Sequence, residues 1–479
     1  MLYFLIFIYT WLLGLIIYST CNNIRLLSYF YFLSYLILTF FILTLLNKSI
    51  IWYQIIFKFY TINYLDISYI IGIDGISIYF ILLCSFIITT CSLLYWYLNY
   101  QYNFYSFILF FSLWILINVF GSIDLFFFYI FFEGIVIPTF FLIGIWGSRK
   151  RKVYASYLFF IYTLLGSIFV LLIILSIYFN KGSSSFDFIL NNFYFSNRHL
   201  ILLIFLFIGF GVKVPIMPLH IWLPEAHVEA PTPGSIILAS ILLKLGSYAL
   251  LRLMLVLFFD ISIDIVFFIF TLSLFSFTYA SMVALSQIDI KKIIAYSSVA
   301  HMNFSLFGLF CENIIGVSGL FFLSFGHAIT SGALFLSIGV LYDRYKTRLI
   351  FYYGSLVVFM PVLAILMFIL ILSNLGFPGT INFVGEFLIL SGALNFTYVI
   401  IILSTFGMVL TLIYSLSVYA KIFFGSLQIK FIRWYSECSR LEFFLLLIFS
   451  LLILILGILP KYILINNLII LYEVNVKLI

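Results

Sequence analysis

Apolar stretches about 20 residues long, each closed by a short polar or glycine-containing connection, recur along the whole chain. A run of that length matches the ~30 Å hydrocarbon core of a bilayer at a helical rise of ~1.5 Å per residue, so each predicts a membrane-spanning helix. Fourteen spans are expected: 3–20, 27–46, 76–98, 105–120, 124–146, 153–179, 199–223, 234–258, 262–285, 290–310, 315–341, 357–394, 397–424 and 441–460. Two of them contain residues that a regular helix does not accommodate. Span seven is interrupted at Lys213-Val214-Pro215, because proline lacks a backbone donor and clashes with the preceding turn. Span twelve is interrupted in "NLGFPGTINFVGE" (374–386), at Gly376, Pro378 and Gly379.

The interruptions suggest an internal repeat. Each broken span is fourth in a set of five, spans 4–8 and spans 9–13. Five is odd, so the second set lies inverted relative to the first, and paired broken helices in inverted halves point to a site near the membrane midplane. The fold expected is therefore an all-α polytopic membrane protein of about 14 transmembrane helices with two inverted five-helix repeats. The expected organisation is N-terminal spans in 1–104, the first repeat in 105–260, the second in 261–425, and a last span with a tail in 426–479.

Composition supports this class. The chain is 66% hydrophobic and 8% charged, against roughly 25% charged in a soluble domain. The net charge of +7 gives no reason to expect nucleic acid; where the cations lie is more informative. Connections after odd-numbered spans hold thirteen Lys and Arg, and the others with the C-terminus hold six. By the positive-inside rule the odd connections, led by "SRKRK" (148–152), face the cytoplasm or mitochondrial matrix, and both termini face the opposite side. The 61 Phe and 35 Tyr suit an AT-rich organelle genome, and no cleavable presequence is expected ahead of the first apolar run. Five scattered cysteines without C-x-x-C spacing argue against iron–sulfur, zinc or haem ligation.

Against this background, ionisable residues inside spans carry the chemistry. Glu133 lies nine residues beyond Asp124, about 13 Å into its span at ~1.5 Å per residue. A charge there costs on the order of 2.5–3.5 kcal/mol, so an ionised Glu133 requires a cationic partner. Lys213 follows a long apolar run, too deep for its stem to reach an interface, and the adjacent break frees backbone carbonyls for its ammonium. A Glu133–Lys213 pair can hold or release a proton, or stand as a static ion pair. Lys244 sits ten residues into the apolar run 235–253, as a carrier or as a cap on a neighbouring helix end. His301 and His327, in "AYSSVAHMNFSLFG" and "FFLSFGHAITSGALF", suit a relay, because imidazole both donates and accepts a proton near neutrality. The bland alternative is a hydrogen-bonded packing histidine. Glu386 follows the second break and is the natural last station, or else a helix-end cap. His220 and His227, with Glu225 and Glu229 in the same stretch, are candidates for proton uptake, or the histidines simply cap the broken helix. Arg252 is expected as an interfacial or lipid-facing anchor, and no role is assigned to Lys421.

The motifs carrying these residues resemble the antiporter-like subunits of respiratory complex I. The resemblance rests on "KVPIMPLHIWLPEAHVEAPTPGSIILASILLKLGSYALLR" (213–252), "IGIDGISIYF" (71–80), "FFEGIVIP" (131–138), "DIKKIIAYSSVAHMN" (289–303) and "GFPGTINFVGEF" (376–387), and it covers about 70 to 425. It implies a proton translocase subunit without redox chemistry of its own, in the mitochondrial inner membrane. NADH, FMN, iron–sulfur clusters and ubiquinone would sit on other subunits, and neither cofactor nor metal on this one. Partners implied are other complex I subunits, above all the neighbouring antiporter-like subunits 2 and 5, with membrane lipids such as cardiolipin. The resemblance assigns Glu133 and Lys213 to a modulating pair, Lys244 to the central carrier, His301 and His327 to the link and Glu386 to the exit. Sister subunits 2 and 5 typically carry lysine at the Glu386 position, and subunit 5 continues into a long lateral helix where this chain stops. Rival readings are a stand-alone Na⁺/H⁺ antiporter subunit and a scaffold whose charges only hold helices together.

Overall fold

The structure is a computed structural model that describes residues 24–46, 53–62, 67–94, 101–186, 199–257, 263–311, 313–394, 398–426 and 436–461. About four in five of them are helical. The expected first span, 3–20, lies outside the described residues. The apolar runs after it form α1 (Ile24–Leu45), α2 (Gly75–Leu94), α3 (Tyr102–Gly121), α4 (Leu125–Gly134), α5 (Val136–Trp146), α6 (Lys152–Lys181) and α7 (His199–Lys213). Then come α8 (Trp222–Glu229), α9 (Thr232–Ile237), α10 (Leu243–Leu257), α11 (Ile263–Ser286), α12 (Ile290–Leu309) and α13 (Ile314–Tyr345). The last are α14 (Leu356–Phe359), α15 (Pro361–Asn374), α16 (Ile381–Ala393), α17 (Tyr398–Phe423) and α18 (Arg440–Ile458). By length and apolarity, ten helical stretches among the described residues are able to cross a membrane.

Both expected interruptions are present. Helix α7 stops at Lys213, and six residues separate α15 from α16. A smaller irregularity at Ile135 divides α4 from α5, because Pro138 has no N–H to offer the Gly134 carbonyl. Between α9 and α10 the helix widens into a π turn, Leu238–Leu242. One element was not anticipated. Strands β1 (Ile55–Ile62) and β2 (Ile67–Ile73) pair antiparallel, Ile55 opposite Ile73 and Ile62 opposite Ile67, with a bulge between Lys58 and Tyr60.

The chain divides into two compact units. The first comprises 1–213, 248–260 and 465–479; the second comprises 214–247 and 261–464. In the first unit α2 packs between α1 and α3, and α6 between α5 and α7. The β hairpin is anchored there by Asp124, which caps α4 by accepting from Phe126 N and also accepts from Ser68 N at 3.1 Å and Ser184 Oγ at 2.9 Å. In the second unit α13 is the central helix, its most apolar stretch wholly buried, against α9, α12, α15, α16 and α18.

Candidate functional site

In the first unit the site is an ion pair. Lys213, the last residue of α7, lies 3.7 Å from Glu133 Oε1 on α4, and is itself 1% exposed. Its Nζ also donates to the Phe132 carbonyl at 2.5 Å and rests 3.3 Å from the centroid of the Phe132 ring. Close packing of α6 on α7 holds this lysine in place. A Cβ on Gly209, one turn before Lys213, would come within 2.6 Å of Val170 Cγ2, and one on Gly166 within 2.9 Å of the Gly209 carbonyl. Small residues let helix backbones approach in this way in membranes, where packing rather than the hydrophobic effect drives helix association.

The second unit holds a row of four side chains. Lys244 Nζ lies 2.8 Å from His327 Nδ1, and the rings of His327 and His301 are 5.6 Å apart at their centroids. His301 Nδ1 in turn lies 3.5 Å from Glu386 Oε1. Lys244, His327 and His301 are at most 2% exposed and Glu386 is 8% exposed. Lys244 follows the π turn directly, and its Nζ donates back into that turn, to the Ala239 carbonyl at 2.6 Å. When Lys244 is protonated its ammonium can only donate, so His327 Nδ1 accepts and the ring proton sits on Nε2. Each histidine thus engages a charged neighbour through Nδ1 and keeps Nε2, which has no hydrogen-bond partner among the described residues, for onward transfer.

Glycine also brings the Glu386 helix close to the histidine helix. A Cβ on Gly385 would lie 2.6 Å from the Leu323 backbone nitrogen of α13, so α16 and α13 touch backbone to backbone next to Glu386. At the second break Gly376, with φ +66°, runs so near the Glu386 carboxylate that any side chain there would overlap it.

All six expected site residues therefore fall into two arrangements, the pair and the row. The uptake candidates are on neither. His220 meets Tyr279 and Tyr296 edge-on at 5.7 and 6.1 Å, and His227 stacks flat on Phe335 at 4.6 Å; both are buried. Arg252 is not the expected lipid-facing anchor. It forms an ion pair with Asp74 of "IGIDGISIYF", donates to Tyr248 Oη at 3.2 Å and lies over the rings of Tyr53 and Tyr248. A guanidinium within reach of a buried carboxylate is better satisfied there than turned toward lipid. Lys421 is exposed in the last turn of α17, where a cation suits the helix dipole. Sequence reasoning passed over Asn303, whose Nδ2 donates at 3.1 Å to the Pro215 carbonyl freed by the first break. A buried amide two residues from His301 was the available signal. Among the described residues no group of three His, Cys, Asp or Glu is placed to hold a metal.

A helical membrane protein with broken helices, a buried Glu–Lys pair and a Lys–His–His–Glu row belongs to a recognisable class. Residues 122–412 match the family described as NADH:quinone oxidoreductase/Mrp antiporter, TM, and the chain belongs to that family. More particularly, it is 46% identical over 399 residues to NADH-ubiquinone oxidoreductase chain 4 of Marchantia polymorpha, covering 83% of this chain and 81% of that one. The Acanthamoeba castellanii protein of the same description is 42% identical over 479 residues, covering 97% and 96%. Among solved structures, a chain of respiratory complex I from Thermus thermophilus with bound NADH superposes with a TM-score of 0.88 at 25% identity, covering 98% of this chain and 99% of that one. A chain of the membrane-bound sulfane sulfur reductase, an archaeal respiratory membrane complex, shares the fold, with a TM-score of 0.83 at 22% identity over 95% and 75%.

Proposed function

We infer that this chain is a proton-pumping membrane-arm subunit of respiratory complex I, the counterpart of NADH-ubiquinone oxidoreductase chain 4. The observation that carries the proton path is the buried row Lys244–His327–His301–Glu386. A packing role needs no such alternation of proton-holding groups across four helices, whereas a relay does. Lys244 is the central carrier, the histidines pass the proton, and Glu386 releases it. The Glu133–Lys213 pair is the modulating element, held or parted by conformational and electrostatic changes that electron transfer drives on other subunits. Each proton moves uphill by about 2.3 kcal/mol per 100 mV of membrane potential, so the row must change its proton affinity during the cycle.

The same reading puts the chain in the mitochondrial inner membrane with both termini in the intermembrane space, pumping from the matrix past His220 and His227. Spans 4–8 and 9–13 are its inverted repeats. Its neighbours are antiporter-like subunits 2 and 5, with cardiolipin among the contacting lipids; NADH, FMN, iron–sulfur clusters and ubiquinone belong to other subunits. Isolation of the native complex through a tag on this chain tests the assignment. The expected result is co-purification with NADH:ubiquinone reductase activity and the redox subunits. Recovery of the chain with antiporter subunits alone would overturn it.

A further inference from the structure

A second group of charged side chains is buried in the second unit, where the connections before α12 and after α13 meet. Glu225 and Glu229 stand four residues apart, on one face of α8. Glu225 pairs with Lys292 at 2.8 Å, and these side chains are 31% and 28% exposed. Glu229 pairs with Arg348 at 3.4 Å, and these are 4% and 0% exposed. Exposure therefore falls to almost nothing within one turn. Lys291, also buried, donates to the Ala230 carbonyl at 3.0 Å and lies near the Tyr342 ring, as does Arg348. Arg348 engages Glu229 through Oε1, and Oε2 has no hydrogen-bond partner among the described residues. Neither ring nitrogen of His227 has one either. His227 stacks on Phe335, eight residues from His327 along α13, about 12 Å at the helical rise. It lies within electrostatic reach of Lys291, Lys244 and His327.

A fully buried ion pair contributes little to stability compared with apolar residues of the same volume, so a structural role alone does not account for this one. We propose that Glu229 is a proton station at the uptake end of the row, taking a proton from the Glu225–Lys292 mouth and passing it by way of His227 to Lys244. The inference rests on the reading given under Proposed function. The O–H bond formed at Glu229 Oε2 breaks as an N–H bond forms on His227, and His227 releases a proton from its other nitrogen to the neutral Lys244 amine. Arg348 and Lys291 are positioning residues: Arg348 holds Oε1 and so leaves Oε2 as the free acceptor, and Lys291 fixes the chain at Ala230.

The test uses the assembled complex in sealed vesicles, with NADH-driven proton uptake and quinone reduction followed between pH 6 and 8.5. Glu229→Gln is expected to slow pumping at least ten-fold, with Glu229→Asp restoring a substantial part of it on a shifted pH profile. Should Glu229→Gln fail to assemble, Glu229→Asp and Arg348→Lys decide by their pH profiles, which a merely structural role would leave in place. Wild-type pumping with an unchanged profile in the assembled variants overturns the proposal. Lys244→Met is measured in parallel. If it stops pumping while Glu229→Gln does not, only the uptake station falls; if it too pumps normally, the reading of the row falls as well.

Discussion

Replacing Glu133 by glutamine removes the counter-charge of Lys213 while keeping the size of the side chain. At 3.7 Å and an effective dielectric of ~20, their attraction is about 4 kcal/mol. The carboxylate side chain is 15% exposed, and partial screening reduces the effect to roughly 2–4 kcal/mol. Lys213 keeps the Phe132 carbonyl and ring, so it is not left bare. At about 1.4 kcal/mol per factor of ten, a loss of this size shifts the balance between the held and parted states of the pair by roughly 30- to 700-fold. A pump that relies on this balance should lose at least ten-fold in coupled turnover, with Glu133→Asp intermediate. The assay is the ratio of protons moved to NADH oxidised in vesicles holding the assembled complex. A wild-type ratio and rate in Glu133→Gln would refute the modulating role of the pair.

Asp74→Asn strands the Arg252 guanidinium, and breaking a buried pair costs about 3–5 kcal/mol. Less assembled complex and a lower Tm are expected, with Asp74→Asn/Arg252→Met losing less than the sum of the single changes. Gly209→Leu cannot fit against Val170 and should separate α6 from α7, lowering assembly more than Gly209→Ala; equal levels in native gels would contradict the packing described. Cys438 lies outside the spans, and burial, helped by the Glu442 charge, pushes its thiol from 9.0 up to about 11. Because the raised value favours the protonated thiol below it, thiolate at pH 8 should be about 100-fold scarcer than for a free cysteine, and alkylation slow until the pH approaches 11. Rapid maleimide labelling of Cys438 at pH 8 would count against this.

How much of this was legible in the sequence depended on the range of the interaction. Apolar runs mark helices because membrane backbone must satisfy its own hydrogen bonds, and proline or glycine marks the breaks, so α7 ends at Lys213 and α15 near Gly376 as expected. The hairpin at 55–73 was hidden, since a short apolar, aromatic stretch does not by itself separate strand from loop. The site residues were identifiable because charge inside hydrocarbon is costly, but their neighbours were not. His301 precedes His327 in the chain, yet His327 is the one beside Lys244 and His301 the one beside Glu386, an order set by which faces of α12, α13 and α16 meet. Arg252 was misread for the same reason: its partner Asp74 is 178 residues away. The π turn that presents Ala239 to Lys244 has no local sequence signal at all.

The central claim is that Lys244 carries the proton. Lys244→Met keeps the length of an apolar side chain and removes the amine, so it can be compared with the wild type at equal assembly and equal quinone site occupancy. The measurement is proton translocation per NADH oxidised by the complex in sealed vesicles. The account predicts that the variant assembles and loses pumping together with most coupled quinone reduction. Full pumping at the wild-type ratio in the assembled Lys244→Met complex would contradict it.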